Sequence, residues 1–140
     1  MSKRETLVVF FITAIIVVFI HFFLIPHFKE VEGYRSNAIS SLERARHSVE
    51  GASIDAYLVR AFLKRGGFTF ADIGTDEEEL NKLEKQSYKL KAISSLERAR
   101  HSVEGASIDA YLVRAFLKRG GFTFADIGTS EKELAQLEKS

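Results

Sequence analysis

The sequence predicts an all-α protein in which one N-terminal transmembrane helix is followed by two tandem identical helical-hairpin repeats. Three observations carry this prediction. Residues 7–25 contain no charged side chain. The block of residues 38–75 returns without a single change as residues 92–129, an offset of 54. Apolar residues recur every three or four positions, which is the period of a helix, and alternation at period two is absent.

The apolar run of residues 7–25 is interrupted only by Thr13 and His21. At about 1.5 Å per residue it would span roughly 28 Å, close to the hydrocarbon thickness of a bilayer. It is longer than the core of a signal peptide and no small-residue cleavage site follows, so an uncleaved anchor is expected. Lys3 and Arg4 precede it. This charge balance favours a single-pass protein of the cell membrane with a cytoplasmic N-terminus and periplasmic or extracellular repeats.

Pro26 follows the span and predicts a kink or break there, because proline lacks a backbone donor. Helical spacing resumes at once, and an amphipathic helix is expected to run to Glu50 before Gly51 interrupts it. Ser53 then has the features of an N-cap for a second helix over residues 54–65. The two helices together predict one helical hairpin.

Glycines and capping boxes mark the joints of the predicted hairpins. Gly66 and Gly67 follow two basic residues and should end the second helix. Thr69 and Asp72 have the spacing of a capping box, which predicts a single helical turn before Gly74.

The second copy is expected to repeat this pattern after a long connecting helix. The capping box that begins at Thr75 predicts a helix over about residues 76–104, and a shorter helix follows over about residues 108–119. In the tail Ser130 fits the cap better than Thr129, so the cap is expected to move by one place. These elements divide the chain into a tail and transmembrane helix (1–27), a first repeat (28–75), a second repeat (76–129) and a C-terminal capping helix (130–140).

His21 is the candidate cofactor-binding residue, because it lies inside the apolar span. Imidazole is a good axial ligand for haem iron or the magnesium of a chlorophyll-type pigment, and a polar residue in a span is a functional hypothesis by default. His21 is also near the end of the span, where it would simply meet water. No cofactor is the favoured expectation, with haem or a chlorophyll-type pigment as the alternative.

His47 and its equivalent His101 are a candidate metal position. Glu43 and His47 are four residues apart, which places both on one face of a helix. Arg44 and Arg46 stand beside them and would repel a divalent cation. A solvated, salt-bridged helix face is therefore expected, with no metal site.

Residues 63–74, LKRGGFTFADIG, resemble the turn of small helix-turn-helix DNA binders, which often carry a Gly-Phe-Ser-Leu-x-x-Ile segment. The resemblance implies a membrane-tethered DNA-binding protein. The helix after the turn begins Asp-Glu-Glu-Glu, however, and its charge has the wrong sign for phosphates. The net charge of the chain is only +1, so nucleic acid is not expected as a partner.

The order of an apolar N-terminal helix, a proline and an amphipathic helix also resembles type IV pilins, with Glu5 at a suggestive position. The resemblance implies a pilin-like filament subunit. Lys3 and Arg4 stand where that family has a hydrophobic N-terminus, and no Gly-Phe-Thr processing site precedes Glu5. The similarity is one of layout.

No enzyme and no small-molecule substrate are expected. Cysteine is absent, and no catalytic triad or phosphate-binding loop can be assembled. We expect a scaffold or accessory subunit that contacts membrane lipid and docks on other subunits of a membrane complex, or on itself. The expected partner-binding residues are apolar side chains of the two copies: Tyr57, Leu58, Phe62, Phe68, Phe70, Tyr111, Leu112, Phe116, Phe122 and Phe124.

Overall fold

The computed structural model describes residues 2–140, which are all helical apart from short joints and contain no strand. The α-helices are α1 (Lys3–Phe19), α2 (Ile25–His47), α3 (Ala52–Gly66), α4 (Glu77–His101), α5 (Ala106–Gly120) and α6 (Glu131–Lys139). A π-helical turn, Ile20–Leu24, joins α1 to α2, and 3₁₀ turns lie at Val49–Gly51, Ala71–Ile73 and Ala125–Ile127. The predicted all-α class is confirmed.

The N-terminal helix is long, apolar and exposed along its whole first half. It begins with a capping box, in which the Ser2 hydroxyl accepts from the Glu5 amide and the Glu5 carboxylate accepts from the Ser2 amide. Every residue of α1 is exposed. Of the helices described, this one alone is long and apolar enough to cross a membrane.

Pro26 does not break this helix, so of the predicted kink or break, the break is wrong. The helix is continuous over Lys3–His47. Just before the proline it widens into the π-helical turn, where the Ile25 amide donates to the Ile20 carbonyl five residues back. The wider turn accommodates a ring that would otherwise clash with the preceding turn and that offers no hydrogen of its own.

The C-terminal part of α2, helix α3 and the first turn of α4 share one buried cluster: Ala38, Leu42, Ala56, Val59, Leu63 and Leu80. Two of its members, Ala38 on α2 and Ala56 on α3, are alanines, whose short side chains let helices approach closely. Leu80 is contributed by α4 and is completely buried. The start of α4 therefore completes the first cluster.

The rest of α4 forms a second buried cluster with α5 and α6: Ala92, Leu96, Ala110, Val113, Leu117 and Leu134. Each member stands 54 positions after a member of the first cluster. Helix α4 thus serves both clusters, and α6 supplies Leu134 where α4 supplies Leu80. The division before residue 76 stays a prediction.

The glycine that ends α3 behaves as predicted. Gly67 adopts the left-handed conformation at φ 72°, and its amide donates to the Leu63 carbonyl. The following box is also confirmed, because the Asp72 carboxylate accepts from the Thr69 amide at 2.8 Å and the Thr69 hydroxyl from the Asp72 amide at 3.3 Å.

Two predicted N-caps are wrong. Helix α3 begins at Ala52 behind Gly51, so Ser53 lies inside its first turn and does not cap it. The reason is that the 3₁₀ turn Val49–Gly51 runs directly into the helix. Ser53 instead accepts a hydrogen bond from the Lys91 ammonium of α4.

The cap of α4 is Asp76 and not Thr75. The Asp76 carboxylate accepts from the Glu79 amide at 2.8 Å, whereas the Thr75 amide closes the preceding turn by donating to the Phe70 carbonyl. In the tail the Ser130 hydroxyl accepts from the Glu133 amide at 3.2 Å. The cap therefore does not move between the two copies, because in both the threonine amide is already hydrogen-bonded within the preceding turn.

Candidate docking surface

The outward face of α3 and the same face of α5 each expose an isoleucine and a tyrosine. Tyr57 and Tyr111 are both 68 % exposed. Ile54 precedes Tyr57 by three residues and is 62 % exposed, and Ile108 stands in the same relation to Tyr111. Residues three apart are neighbours on a helix surface, so each pair forms one apolar patch. We call these the Ile–Tyr pairs.

The predicted partner-binding residues divide into two groups. The two tyrosines are exposed, and Leu58 and Leu112 beside them are half-buried. The six phenylalanines are half-buried and pack against the cluster of their own copy: Phe62, Phe68, Phe70, Phe116, Phe122 and Phe124. The structure thus places the tyrosines in the patches and the phenylalanines around the core.

The isoleucines were not among the predicted partner-binding residues. The sequence assigns Ile54 to the apolar side of α3, together with residues that turn inward. The available signal was the width of that apolar side, which exceeds what one neighbouring helix can cover. Ile54 stands at its outer border.

Arg60 and its equivalent Arg114 tie the helices that carry these pairs to the helices that follow. The Arg60 guanidinium donates to Glu77 at 3.0 Å and to Glu84 at 2.8 Å, both on α4. Asn81 accepts a third hydrogen bond at 3.1 Å. Charge-assisted contacts of this forked kind hold one helix in a defined position against another.

Arg114 makes the corresponding contacts to α6, with Glu131 at 2.6 Å and with Glu138. Hydrogen bonding to Arg114 holds the pKa of the Glu131 carboxyl below its ordinary value. Glu133 also has a lowered pKa, caused first by the Thr129 hydroxyl and then by Arg100. The short helix α6 is therefore held against α4 and α5 by the buried Leu134 side chain and by carboxylates that pair with Arg100 and Arg114.

A second arginine of each copy binds the glycine turn. Arg46 donates to the Gly74 carbonyl at 3.1 Å and pairs with Glu79, and Arg100 donates to Gly128 at 3.0 Å. Arg44 pairs with Asp55 at 3.2 Å. These arginines flank His47 and bind carboxylates of neighbouring helices.

A seam joins the two copies. The Ser87 hydroxyl of α4, completely buried, donates to the Glu50 carbonyl at 2.7 Å. Its oxygen lies 3.2 Å from the Ser53 hydroxyl, and the Lys91 ammonium donates to Ser53 at 2.8 Å. Helix α4 therefore covers the 3₁₀ turn Val49–Gly51 and the start of α3.

The histidines are separated from one another. His21 lies in the π-helical turn with Nδ1 3.1 Å from the Val17 carbonyl oxygen of its own helix. His47 and His101 are exposed at the ends of α2 and α4. Within residues 2–140 the structure brings no three histidine, aspartate or glutamate side chains into a metal-binding group.

Comparison with known proteins identifies no matching family, no matching characterised relative and no matching solved structure. The geometry of the chain itself is therefore the basis for assigning a function. It defines a class of protein, a helical chain with a membrane-length apolar helix and repeated apolar patches.

Proposed function

We propose that this chain is a single-pass, membrane-anchored scaffold or accessory subunit whose two tandem helical-hairpin repeats dock on other proteins of a membrane-associated assembly. The repeats would lie outside the cytoplasm, with the N-terminus inside, as the charges near the span favour. The observation that carries the proposal is the occurrence of the same Ile–Tyr pair on α3 and on α5, exposed in both places.

Leaving apolar patches of this kind in water is unfavourable in free energy. Each pair exposes two large side chains, and tyrosine is enriched at the centres of protein interfaces because its ring buries a large area at low entropic cost. Arg60 and Arg114 stand one turn further along the same helices and are held by carboxylates. A polar rim beside an apolar centre is the usual anatomy of a docking surface.

Lipid is the second expected contact. The exposed side chains of α1 are large and apolar, which suits hydrocarbon chains. Because the helix continues without interruption into α2, the repeats would be attached to the anchor rigidly. Their patches would therefore be presented at defined heights above the bilayer.

The test is site-specific photocrosslinking in the native membrane. A photoreactive phenylalanine analogue replaces Tyr57 or Tyr111, and the matched control replaces the exposed Lys64 on the same helix. We expect crosslinked partners at the tyrosine positions and none at Lys64. Purification of an uncrosslinked monomer after illumination at both tyrosines would overturn the proposal.

Orientation is tested separately. The chain has no cysteine, so a single cysteine at Ser140 is unique. Labelling of whole cells by an impermeant maleimide supports repeats outside the cytoplasm. Protection until the cells are lysed would place them inside, where the helix-turn-helix alternative would have to be considered again.

A second candidate function uses His21. Its Nδ1 is engaged by the Val17 carbonyl, which leaves Nε2 as the nitrogen able to ligate haem or a chlorophyll-type pigment. This alternative predicts an absorbance band that co-purifies with the protein and disappears in His21→Leu. A colourless preparation from the native membrane would exclude it.

A further inference from the structure

The seam between the copies has a counterpart at the far side of the second copy. Residues 49–53 and 103–107 are identical, VEGAS in both. In the first copy this segment is covered by α4, with Val49 and Ser53 half-buried. In the second copy Val103 is 66 % exposed, and Ser107 is exposed as well. We call residues 103–107 the free edge.

The identical segments also differ in conformation. Covered by α4, the first forms the 3₁₀ turn Val49–Gly51, with Gly51 at φ −89°. At the free edge Gly105 has φ 82° and the 3₁₀ turn is absent from the described chain there. Because the letters are the same, the covering helix accounts for the difference.

One hydrogen bond shows what the free edge is missing. In the first copy the Glu50 carbonyl accepts from Ser87 of α4. At the free edge the equivalent Glu104 carbonyl accepts from the neighbouring Ser102 hydroxyl at 3.1 Å. A local hydroxyl thus takes the place of the one that a covering helix supplies.

We propose that the free edge binds a helix of another protein that presents a small hydroxyl residue and, one turn later, a lysine. The inference rests on the proposed function, since it names a docking site and the chemistry of its occupant. Ser87 and Lys91 supply this chemistry inside the chain. The hydroxyl residue must be small, because Ser87 is completely buried at the seam.

Two features of the free edge favour a lysine on the partner helix. Lys91 donates to the Ser53 hydroxyl, and Ser107 offers the same acceptor at the free edge. Glu104 is exposed beside it and would add attraction for a cation. When the partner helix binds, its hydroxyl replaces Ser102 on the Glu104 carbonyl.

A second copy of this chain supplies the required chemistry less well than a separate partner. The positions of α2 that correspond to Ser87 and Lys91 are Gly33 and Asn37, which carry neither hydroxyl nor ammonium. In a second molecule of this chain, α4 already covers residues 49–53 of that same molecule. A different protein is therefore the occupant that the residues favour.

The test uses a stapled, fluorescein-labelled helical peptide of residues 81–94 and the full chain in mild detergent. Anisotropy should report saturable binding that Val103→Glu weakens by about tenfold or more, because a carboxylate cannot be buried unpaired. Leucine at the peptide position of Ser87 should weaken it similarly. Lys118→Gln on the exposed surface of α5 is the matched control and should leave the affinity unchanged.

Three outcomes overturn the inference: no saturable binding, equal affinity for Val103→Glu, or concentration-dependent self-association that Val103→Glu abolishes. Val103 is exposed, and circular dichroism checks that the variant keeps its helices. The photocrosslinking at Tyr57 and Tyr111 reports on the Ile–Tyr pairs and not on the free edge. A failure there with intact peptide binding would reject the proposed docking face alone.

Discussion

Gly66 and Phe68 are so close that a Cβ added to the glycine would stand 2.7 Å from Cδ2 of the phenylalanine ring. On its other side the same Cβ would lie 3.2 Å from Cβ of Tyr34. The end of α3 is therefore packed between a ring and the backbone-proximal part of α2. Gly120 has the same surroundings, with the Phe122 ring at 2.8 Å.

Gly66→Ala is predicted to destabilise the fold by about 1–3 kcal/mol, because the Phe68 ring must leave its place against the first cluster. Gly120→Ala should cost a similar amount. The matched control is Gly33→Ala in the exposed middle of α2, where no atom lies within 4 Å of the new Cβ. That change should stabilise by about 0.5–1 kcal/mol. Denaturant midpoints of the three variants in mild detergent measure these changes in stability. Equal midpoints would contradict the close packing of Gly66 and Gly120.

Ser87→Ala is predicted to cost about 1–3 kcal/mol, because it removes the completely buried hydroxyl that donates to the Glu50 carbonyl. The control is Ser102→Ala at the exposed equivalent carbonyl, where water can substitute. Its effect should be within about 0.5 kcal/mol. Hydrogen exchange should show faster exchange in the 3₁₀ turn Val49–Gly51 for Ser87→Ala only. Unchanged exchange there would mean that the seam is held by other contacts.

Arg114→Met is predicted to loosen α6 by about 0.5–1 kcal/mol, since it breaks pairs that are partly exposed to solvent. Screening should reduce the difference from the parent protein as salt is raised. Lys118→Met on the exposed surface of α5 serves as control. Exchange rates of α6 amides at low and high salt measure the effect, and a salt-independent difference would point to packing of the arginine stem.

Acid is predicted to destabilise the second copy through Asp126 and Glu133. The Thr123 amide and hydroxyl lower the pKa of Asp126, and the Thr129 hydroxyl and Arg100 lower that of Glu133. Groups with lowered folded-state pKa values contribute fully above their ordinary values of 3.8 and 4.5. Their contribution is lost as pH falls through the lower folded-state values.

Urea midpoints between pH 3 and pH 7 should therefore be level above about pH 5 and fall below it. Asp126→Asn cannot titrate, so its curve should be flatter on the acid side. A curve for Asp126→Asn with the same acid slope as the parent would show that the turn carboxylate does not contribute.

Ile12→Arg and Ile16→Arg combined are predicted to prevent membrane insertion, because each arginine near the centre of a span costs roughly 2.5–3.5 kcal/mol. Two such costs outweigh the roughly −0.3 kcal/mol or more that each remaining large apolar residue of the span contributes. Phe28→Arg introduces a charge beyond Pro26, where insertion should be unaffected. Alkaline extraction of membranes separates the variants, with the double variant in the supernatant and Phe28→Arg in the pellet. Retention of both in the pellet would contradict a span over residues 7–25.

Much of the helical framework could be predicted because its signals are local. Gly67 needs no tertiary contact to favour the left-handed conformation, and the Thr69–Asp72 box closes over four residues. The N-cap residues of the helices are harder to predict from the sequence. Thr75 and Asp76 both carry suitable oxygens, and the choice depends on where the preceding turn ends.

The candidate site was predicted in part, for a related reason. An apolar periodicity identifies the side of α3 that turns away from water, but not where the border of burial falls within it. Phe62 and Tyr57 belong to the same apolar side, and the folded chain half-buries the first while leaving the second exposed. Only the positions of neighbouring helices determine that border.

The sequence by itself determined the helical class, the apolar anchor and the glycine joints, because periodicity, length and turn conformation act over a few residues. Tertiary structure alone decided how the duplicated segments differ. Residues 49–53 and 103–107 carry the same letters, yet Gly51 and Gly105 have φ angles of opposite sign. The physical reason is that α4 packs on residues 49–53 and bonds to them through Ser87 and Lys91, whereas residues 103–107 face water.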